Sequence, residues 1–252
     1  MPSRVILPRL SWGSPSAERR ALLIHGLGSN GALMWRYGVA LADAGWRADA
    51  VDLRGHGAAP RALDYTLAAY GADAVGTRAG AERPWDLVIG HSLGGAASVL
   101  AAAEDPSWTH RLILVDPAIM LTDRDRDIVR NSQTRAFEDP SEEAVRAEHP
   151  HWHPQDIELK ALSAQQASRW AVEQTSAQNV RWDVTDAALR VSVPTHVIAS
   201  DPHVYSIFRG KPAEAAVARN PVFTVSVVAD AGHSPHRDRP EATIEALRAV
   251  LG

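Results

Sequence analysis

The chain has 252 residues, of which 45% are hydrophobic and 22% charged; its formal net charge is −4 and it has no cysteine. This composition predicts one large globular α/β domain or two small ones, and it excludes a disordered chain. The acidic balance argues against nucleic acid as a partner, and the lack of cysteine excludes disulfides and thiolate chemistry. Residues 1–9 hold no apolar run long enough for a signal peptide, and no later stretch approaches a membrane span. A cytoplasmic protein without membrane contact is therefore expected.

Apolar runs alternate with glycine-rich and proline-rich turns along the first half of the chain. Residues 5–10 predict a first strand at the sheet edge, because Pro8 fits an edge better than a centre. Continuous apolar stretches predict buried strands, and the segments between them predict helices. The predicted strands are 21–25, 48–53, 87–89 and 112–115, and the predicted helices are 35–44, 66–79 and 96–103.

Residues 118–191 lack a strong strand signal and are charged and helical in character. This stretch is too long for a plain loop inside a compact domain, so it predicts a helical insertion that covers part of the protein. Asp139 before Pro140 and Glu142 predicts one helix start there, with Asp139 as the N-cap. Strands are predicted again at 195–199 and 223–228, and a last helix at 240–251.

Strands that alternate with helices predict a mostly parallel sheet with helices on both faces. Ligands bind such sheets beyond the carboxyl ends of the strands. Four polar residues follow predicted strands, and we expect them on one sheet edge: Ser92, Asp116, Asp201 and His233.

Ser92 lies in the sequence Gly-His-Ser-Leu-Gly, between an apolar strand and a helix rich in small residues. A strand that turns sharply into a helix needs close approach of its two arms, which Gly90 and Gly94 permit because they lack a Cβ atom. The pattern predicts a nucleophile elbow that exposes the serine Oγ at a helix N-terminus, where the helix dipole favours negative charge.

These features together resemble the α/β-hydrolase superfamily over nearly the whole chain. The matching stretches are His-Gly-Leu-Gly at 25–28, Asp-Leu-Arg-Gly-His-Gly at 52–57, the elbow at 90–94, and Gly-His at 232–233 after the last strand. The order serine, acid, histidine is the order that this fold uses. The resemblance implies an α/β-hydrolase core at 1–117 and 192–252, with a helical cap at 118–191.

Ser92 needs a base to attack a carbonyl, and His233 is the expected one because it alone follows the final strand in a Gly-His turn. A carboxylate should orient this histidine. Asp201 is favoured, because it follows the strand after which the family most often places its acid. Asp116 is the alternative, because it follows an earlier strand where some members keep theirs.

The resemblance also implies an oxyanion hole made by the backbone N–H groups of Leu27 and Leu93. Trp152, Trp170 and His91 are candidate substrate-binding residues, and tryptophans from a cap would favour an apolar or aromatic substrate. The histidines at 149–153 suggest a metal site, but two prolines and the absence of an acidic or cysteine partner argue against it. No metal and no cofactor are expected.

The sequence therefore predicts a serine hydrolase that cleaves a carboxylic ester, thioester or lactone of a small molecule through an acyl-enzyme on Ser92. Its predicted partner is the small-molecule substrate alone. Three alternatives use the same fold: a C–C bond hydrolase, a cofactor-free perhydrolase, and a ligand-sensing protein with vestigial hydrolysis. Epoxide and haloalkane hydrolysis are disfavoured, because they need an aspartate at position 92.

Overall fold

The computed structural model of the chain describes residues 4–80 and 83–252. Residues 1–3 and 81–82 lie outside the described residues. All five belong to the predicted core, and residues 1–3 also begin the N-terminal segment that was searched for a signal peptide. None of the helices within 4–80 and 83–252 combines the length and the hydropathy that crossing a membrane requires.

Seven strands form one sheet in the order β1-β3-β2-β4-β5-β6-β7. Every neighbouring pair is parallel except β1 with β3. The strands are β1 Arg9–Trp12, β2 Arg19–Ile24, β3 Trp46–Val51, β4 Leu87–His91, β5 Leu112–Val115, β6 Thr195–Ser200 and β7 Phe223–Val228. The predicted α/β fold with a mostly parallel sheet is confirmed.

The first strand lies later in the chain than predicted. It covers Arg9–Trp12 instead of residues 5–10, and it is an edge strand, as expected. Pro8 precedes it, and its carbonyl accepts a hydrogen bond from the Asp52 N–H at 3.1 Å. Because proline has no N–H to donate, Pro8 contributes only its carbonyl, and the paired residues of β1 begin at Arg9.

Helices cover both faces of the sheet. They are α1 Trp35–Asp43, α2 Leu67–Val75, α3 Leu93–Glu104, α4 Asp123–Glu138, α5 Glu142–Glu148, α6 Pro154–Gln166, α7 Arg169–Gln178, α8 Thr185–Arg190, α9 Pro212–Val217, α10 Pro235–Asp238 and α11 Pro240–Leu251. The helix predicted at 66–79 is shorter in the structure, because Gly76 ends it.

The predicted N-cap at Asp139 is wrong. The N-cap of α5 is Ser141, whose Oγ accepts a hydrogen bond from the Ala144 N–H at 3.1 Å. Asp139 follows the last residue of α4, and its carboxylate accepts a hydrogen bond from the Ser141 N–H at 3.2 Å. The carboxylate therefore stabilises the turn between two helices instead of the start of one.

The core lies on both sides of the sheet, because successive side chains of a strand point to opposite faces. In β2, Leu22 and Ile24 belong to one apolar cluster, and Ala21 and Leu23 belong to the other. All five residues of β4 are buried, which explains why its sequence is an apolar run without alternation.

Residues 118–191 carry α4 to α8, and we call this stretch the helical insertion. It attaches to the core through the buried Asp156, which accepts a hydrogen bond from Trp35 Nε1 at 2.8 Å and pairs with Arg36 at 2.7 Å. The division of the chain into a core and a separate cap stays a prediction.

Candidate active site

Ser92 lies at the turn between β4 and α3, in a backbone conformation that side-chain-bearing residues rarely adopt. Its φ is 54° and its ψ is −115°. Its N–H donates to the Val115 carbonyl at 3.1 Å, and its carbonyl accepts from the Ala118 N–H at 3.0 Å. These hydrogen bonds to the segment around the end of β5 hold the strained residue in place.

The two glycines of the elbow leave no room for a side chain. A Cβ atom on Gly90 would lie 2.5 Å from the Gly94 carbonyl oxygen. A Cβ atom on Gly94 would overlap the carbonyl oxygen of Ile24 at the end of β2. The close approach that the sequence pattern implies is therefore present in the structure.

His233 lies between Ser92 and Asp116 and is within hydrogen-bond distance of both. Its Nε2 is 2.9 Å from Ser92 Oγ, and its Nδ1 is 2.7 Å from Asp116 Oδ2. Because an ionised carboxylate can only accept, Nδ1 carries the proton and Nε2 is free to accept from the serine hydroxyl. A serine, a histidine and a carboxylate in this order can act as a nucleophile, its base and the group that orients the base.

Asp116 is fully buried and accepts several hydrogen bonds besides the one from His233. Its Oδ2 accepts from the Ile207 N–H at 3.1 Å. Its Oδ1 accepts from the Ser200 N–H at 3.3 Å and from the Ser206 hydroxyl. Donors on both oxygens fix the orientation of the carboxylate towards the imidazole.

The structure corrects the expectation that Asp201 orients His233. The Asp201 carboxylate accepts from two backbone N–H groups, those of His203 at 2.9 Å and Asp230 at 3.0 Å. These hydrogen bonds lower its pKa below the usual value, the one from Asp230 most strongly. Asp201 therefore stabilises the loops after β6 and β7, and the alternative acid, Asp116, is the one against His233.

The loop after β2 is held by two buried histidines. His25 donates from Nδ1 to the Gly26 carbonyl at 2.7 Å and accepts at Nε2 from the Leu53 N–H at 3.0 Å. His56 accepts at Nε2 from the Gly28 N–H at 3.1 Å. Burial lowers the pKa of His25 to about 4 and that of His56 to about 3, so both rings are neutral near pH 7.

This loop passes next to the nucleophile. A Cβ atom on Gly26 would lie 3.0 Å from Ser92 Cβ, which places the following residue, Leu27, at the site. Leu93 is the first residue of α3. Within 4–80 and 83–252, neither the Leu27 N–H nor the Leu93 N–H donates to a protein acceptor. The two predicted oxyanion donors are thus both available for a ligand oxygen.

His91 is buried against the histidine of the site. Its Nε2 donates to the His233 carbonyl at 2.9 Å, and the two ring centroids are 4.9 Å apart. Burial holds the pKa of His91 well below 6.5, and the proximity of His233 lowers it further. His91 therefore orients the backbone of His233, whereas a contact between His91 and substrate stays a prediction.

The two predicted tryptophans lie in different surroundings. Trp152 is buried, stacks on His149 with a centroid distance of 3.7 Å, and donates from Nε1 to Asp238 at 2.7 Å. Trp170 is 44% exposed and packs edge-on against Tyr65. The structure therefore places Trp152 beside the segment that follows His233, and it does not bring Trp170 to Ser92.

Side chains from the helical insertion hold the loop after β2, and sequence reasoning missed them. Lys160 Nζ donates to the Gly28 carbonyl at 2.8 Å, and Ser163 Oγ donates to the same oxygen at 3.3 Å. Gln133 Nε2 donates to the Leu27 carbonyl at 3.4 Å. A lysine, a serine and a glutamine on polar helices carry no sequence signal of such a contact, because only tertiary packing brings α4 and α6 to the loop.

A cavity of about 260 Å³ lies between α4 and α7 of the helical insertion. Its lining includes Arg126, Arg130 and Arg169, and also Gln133, which contacts the loop after β2. Ser92 and His233 do not line it. The cavity therefore adjoins the loop after β2 and does not include Ser92.

The histidine-rich stretch at 149–153 has structural contacts. His153 is the N-cap of α6, and its Nδ1 accepts from the Gln155 N–H at 3.2 Å. Among the described residues, no group of three or more histidine, aspartate or glutamate side chains could hold a metal ion.

The amino-acid sequence of the chain is similar to those of known hydrolases. Residues 21–246 match the model of a family described as "Alpha/beta hydrolase family". A 2-(acetamidomethylene)succinate hydrolase from Mesorhizobium japonicum is 28% identical over 242 residues, which cover 90% of this chain and 85% of that protein. A pimeloyl-[acyl-carrier protein] methyl ester esterase from Neisseria meningitidis is 38% identical over 108 residues, or 43% of this chain and 40% of that protein.

Solved structures agree with these relatives. The crystal structure of an E-2-(acetamidomethylene)succinate hydrolase superposes with a TM-score of 0.83 at 25% identity, covering 98% of this chain and 95% of that chain. An esterase from Exiguobacterium antarcticum superposes with a TM-score of 0.76 at 17% identity, covering 98% and 96%, which supports the shared fold alone. The family and the relatives indicate that the chain is a hydrolase.

Proposed function

Since this chain belongs to the alpha/beta hydrolase family, we propose that it cleaves a carboxylic ester, thioester or lactone of a small molecule through an acyl-enzyme on Ser92. The observation that carries the proposal is the position of His233, with Nε2 2.9 Å from Ser92 Oγ and Nδ1 2.7 Å from Asp116. Nothing in the proposed chemistry requires a cofactor, because the protein groups supply nucleophile, base and oxyanion donors.

The first half-reaction acylates the serine. Ser92 Oγ attacks the substrate carbonyl carbon while His233 Nε2 takes the hydroxyl proton. The imidazolium that forms is stabilised by the Asp116 carboxylate, which stays ionised. When the tetrahedral intermediate collapses, the bond to the leaving group breaks and His233 returns the proton to it. The second half-reaction repeats these steps with water as the nucleophile and releases the acid.

The developing oxyanion is bound by the N–H groups of Leu27 and Leu93 in this proposal. The Leu27 N–H belongs to the same peptide group as the Gly26 carbonyl, which accepts from His25 Nδ1 at 2.7 Å. A hydrogen bond to the carbonyl polarises the peptide and strengthens its N–H as a donor. The N-terminus of α3 adds its positive end at Leu93.

Asp116 is the proposed acid because it alone of the two candidates is hydrogen-bonded to the histidine. The carboxyl ends of β4 and β5 are neighbours in the sheet, and they carry Ser92 and Asp116. The positive φ of 36° at Asp116 turns the chain there. This strain is consistent with a functional position, since such conformations persist only where surrounding contacts hold them.

A second candidate reaction is the hydrolysis of an acylamino group. The relative that aligns over 90% of this chain is named for a succinate that carries an acetamidomethylene group. The same residues can form an acyl-enzyme from an amide, provided that His233 protonates the departing nitrogen. The two reactions differ in the leaving group and not in the nucleophile.

Covalent labelling and kinetics test the proposal together. A fluorophosphonate should add one label to the wild-type protein, on Ser92, and none to Ser92→Ala; peptide mass spectrometry locates the label. Hydrolysis of p-nitrophenyl butyrate and of an acetanilide should both depend on Ser92, and their relative rates decide between ester and amide cleavage. A protein that takes no label and turns over neither substrate would instead support the ligand-sensing alternative.

A further inference from the structure

The helical insertion places one ammonium group next to the loop after β2, which carries the proposed oxyanion donor Leu27 and which we call the oxyanion loop. Lys160 is half-buried, and its Nζ donates to the Gly28 carbonyl at 2.8 Å. Gly28 is two residues after Gly26. A Cβ atom on Gly26 would lie 3.0 Å from Ser92 Cβ, so Gly26 is next to the serine. Since consecutive Cα atoms are about 3.8 Å apart, Gly28 is within about 8 Å of Gly26. The ammonium is therefore within the span of a small molecule bound at the nucleophile.

This ammonium has no carboxylate partner within the described part of the chain. No Asp or Glu oxygen of residues 4–80 and 83–252 lies within 4.0 Å of Lys160 Nζ. The only other lysine, Lys211, pairs with Asp125 at 3.0 Å. Glu148 is near enough to raise the pKa of Lys160, but its own ion pair is with Arg135 at 3.0 Å. Cations withdrawn from water are normally paired, so this one is unusual.

A second cation lies in the same region. Arg237 of α10 is buried and stacks over the Trp152 ring at 5.2 Å. Its Nη1 donates to Ser234 Oγ at 3.3 Å, whereas its Nε has no hydrogen-bond partner among the described residues. Within the described ranges it forms no ion pair. Repulsion by Arg237 contributes to lowering the pKa of Lys160. Asp156 and Asp238 are near enough to raise the pKa of Arg237, but among the described residues neither forms an ion pair with it. Two neighbouring cations without an ion-pair partner favour a ligand with negative charge.

We propose that Lys160 binds a carboxylate of the substrate, so that the enzyme acts on short acids that carry the scissile acyl group. This inference rests on the proposed function, because it assigns a substrate class to the Ser92 site. One end of the substrate places its carbonyl at Ser92, and the other end forms a charge-assisted hydrogen bond with the ammonium. The carboxylate supplies the ion-pair partner that Lys160 lacks among the described residues.

The charge state of Lys160 agrees with this role. Burial and the nearby Arg237 lower its pKa to about 8, partly offset by Glu148, which raises it. The ammonium is therefore predominantly charged near pH 7. Three histidines interact with the ammonium. His25 and His56 have pKa values of about 4 and about 3 and stay neutral near pH 7, and burial also lowers the pKa of His149.

The test compares two substrates that differ only in the end group. Mono-p-nitrophenyl glutarate and p-nitrophenyl pentanoate have acyl chains of equal length, and the first carries a carboxylate where the second carries a methyl. We expect wild-type protein to prefer the glutarate in kcat/KM, after subtraction of the Ser92→Ala background. Lys160→Met should reduce the ratio of the two kcat/KM values roughly 10- to 100-fold, the range for a charge-assisted hydrogen bond.

Two further variants separate charge from support of the loop. Lys160→Arg keeps the positive charge and should keep most of the preference for the acid. Arg146→Met removes an exposed charge of the same insertion, one that pairs with Glu142 at 3.4 Å, and should leave the ratio unchanged. An equal loss on both substrates in Lys160→Met would show that the lysine only supports the oxyanion loop, and would overturn the inference.

Binding gives a readout that does not depend on turnover. Succinate and glutarate are titrated calorimetrically into the Ser92→Ala protein and into the double variant that also carries Lys160→Met. Both acids should bind the double variant more weakly. If neither acid binds with an affinity that depends on position 160, or if wild type shows no preference for the glutarate ester, the inference is wrong. Ser92-dependent hydrolysis of the pentanoate would in that case leave the proposed hydrolase function intact.

Discussion

Replacement of Asp116, the buried carboxylate that is hydrogen-bonded to His233, is the most informative single change. In Asp116→Asn, one carboxylate oxygen becomes an NH2 group. At the Oδ2 position, this group would face the Ile207 N–H and His233 Nδ1–H; at the Oδ1 position, it would face the Ser200 N–H and the Ser206 hydroxyl. Either orientation sets donor against donor, or forces His233 into the tautomer that protonates Nε2.

The expected loss follows from that tautomer. A histidine protonated at Nε2 cannot accept the Ser92 proton, and the corresponding change in serine proteases lowers kcat by roughly 10⁴-fold. We expect a fall in kcat/KM of roughly 10³- to 10⁴-fold, which is about 4 to 5.5 kcal/mol of transition-state stabilisation. The assay is hydrolysis of p-nitrophenyl butyrate, with folding checked by circular dichroism.

Asp201→Asn is the matched control, because it makes the same chemical change at the other candidate acid. Its carboxylate accepts only from backbone groups of exposed loops, so we expect kcat/KM within about threefold of wild type, as for most surface substitutions. If Asp201→Asn lost activity and Asp116→Asn kept it, the role proposed for Asp116 would be refuted.

Three other changes have defined expected outcomes. Gly94→Ala should lower the free energy of unfolding by roughly 1 to 3 kcal/mol in urea titrations, because its Cβ would overlap the Ile24 carbonyl; unchanged stability would contradict the close approach. His25→Ala should reduce kcat roughly 10- to 100-fold with a smaller change in KM, because the polarising hydrogen bond to Gly26 is lost; an effect on KM alone would argue against it. The preference for acid substrates should fall as pH rises through about 8, because Lys160 then loses its charge; a constant glutarate-to-pentanoate ratio from pH 7 to 10 would contradict its role.

The strands and the elbow were predictable because their signals are local. A strand buried on both faces has to be apolar throughout, so β2, β4 and β5 are visible as runs such as Leu87–Ile89. The turn at Ser92 requires glycine on both sides because any Cβ there would collide with backbone atoms. Chain order then brings Ser92 and His233 to one sheet edge, since parallel strands share their carboxyl ends.

The amino-acid sequence alone thus determined the α/β class and the mostly parallel sheet, and it predicted that Ser92 and His233 meet at one sheet edge, where the structure has them 2.9 Å apart. Only the tertiary structure distinguished Asp116 from Asp201, because both follow strands and differ only in which one reaches His233. It also brought Lys160 of α6 to Gly28 across 132 residues of sequence. Such contacts depend on how helices pack over the sheet edge, and helix packing leaves no periodic signal at the polar positions that take part.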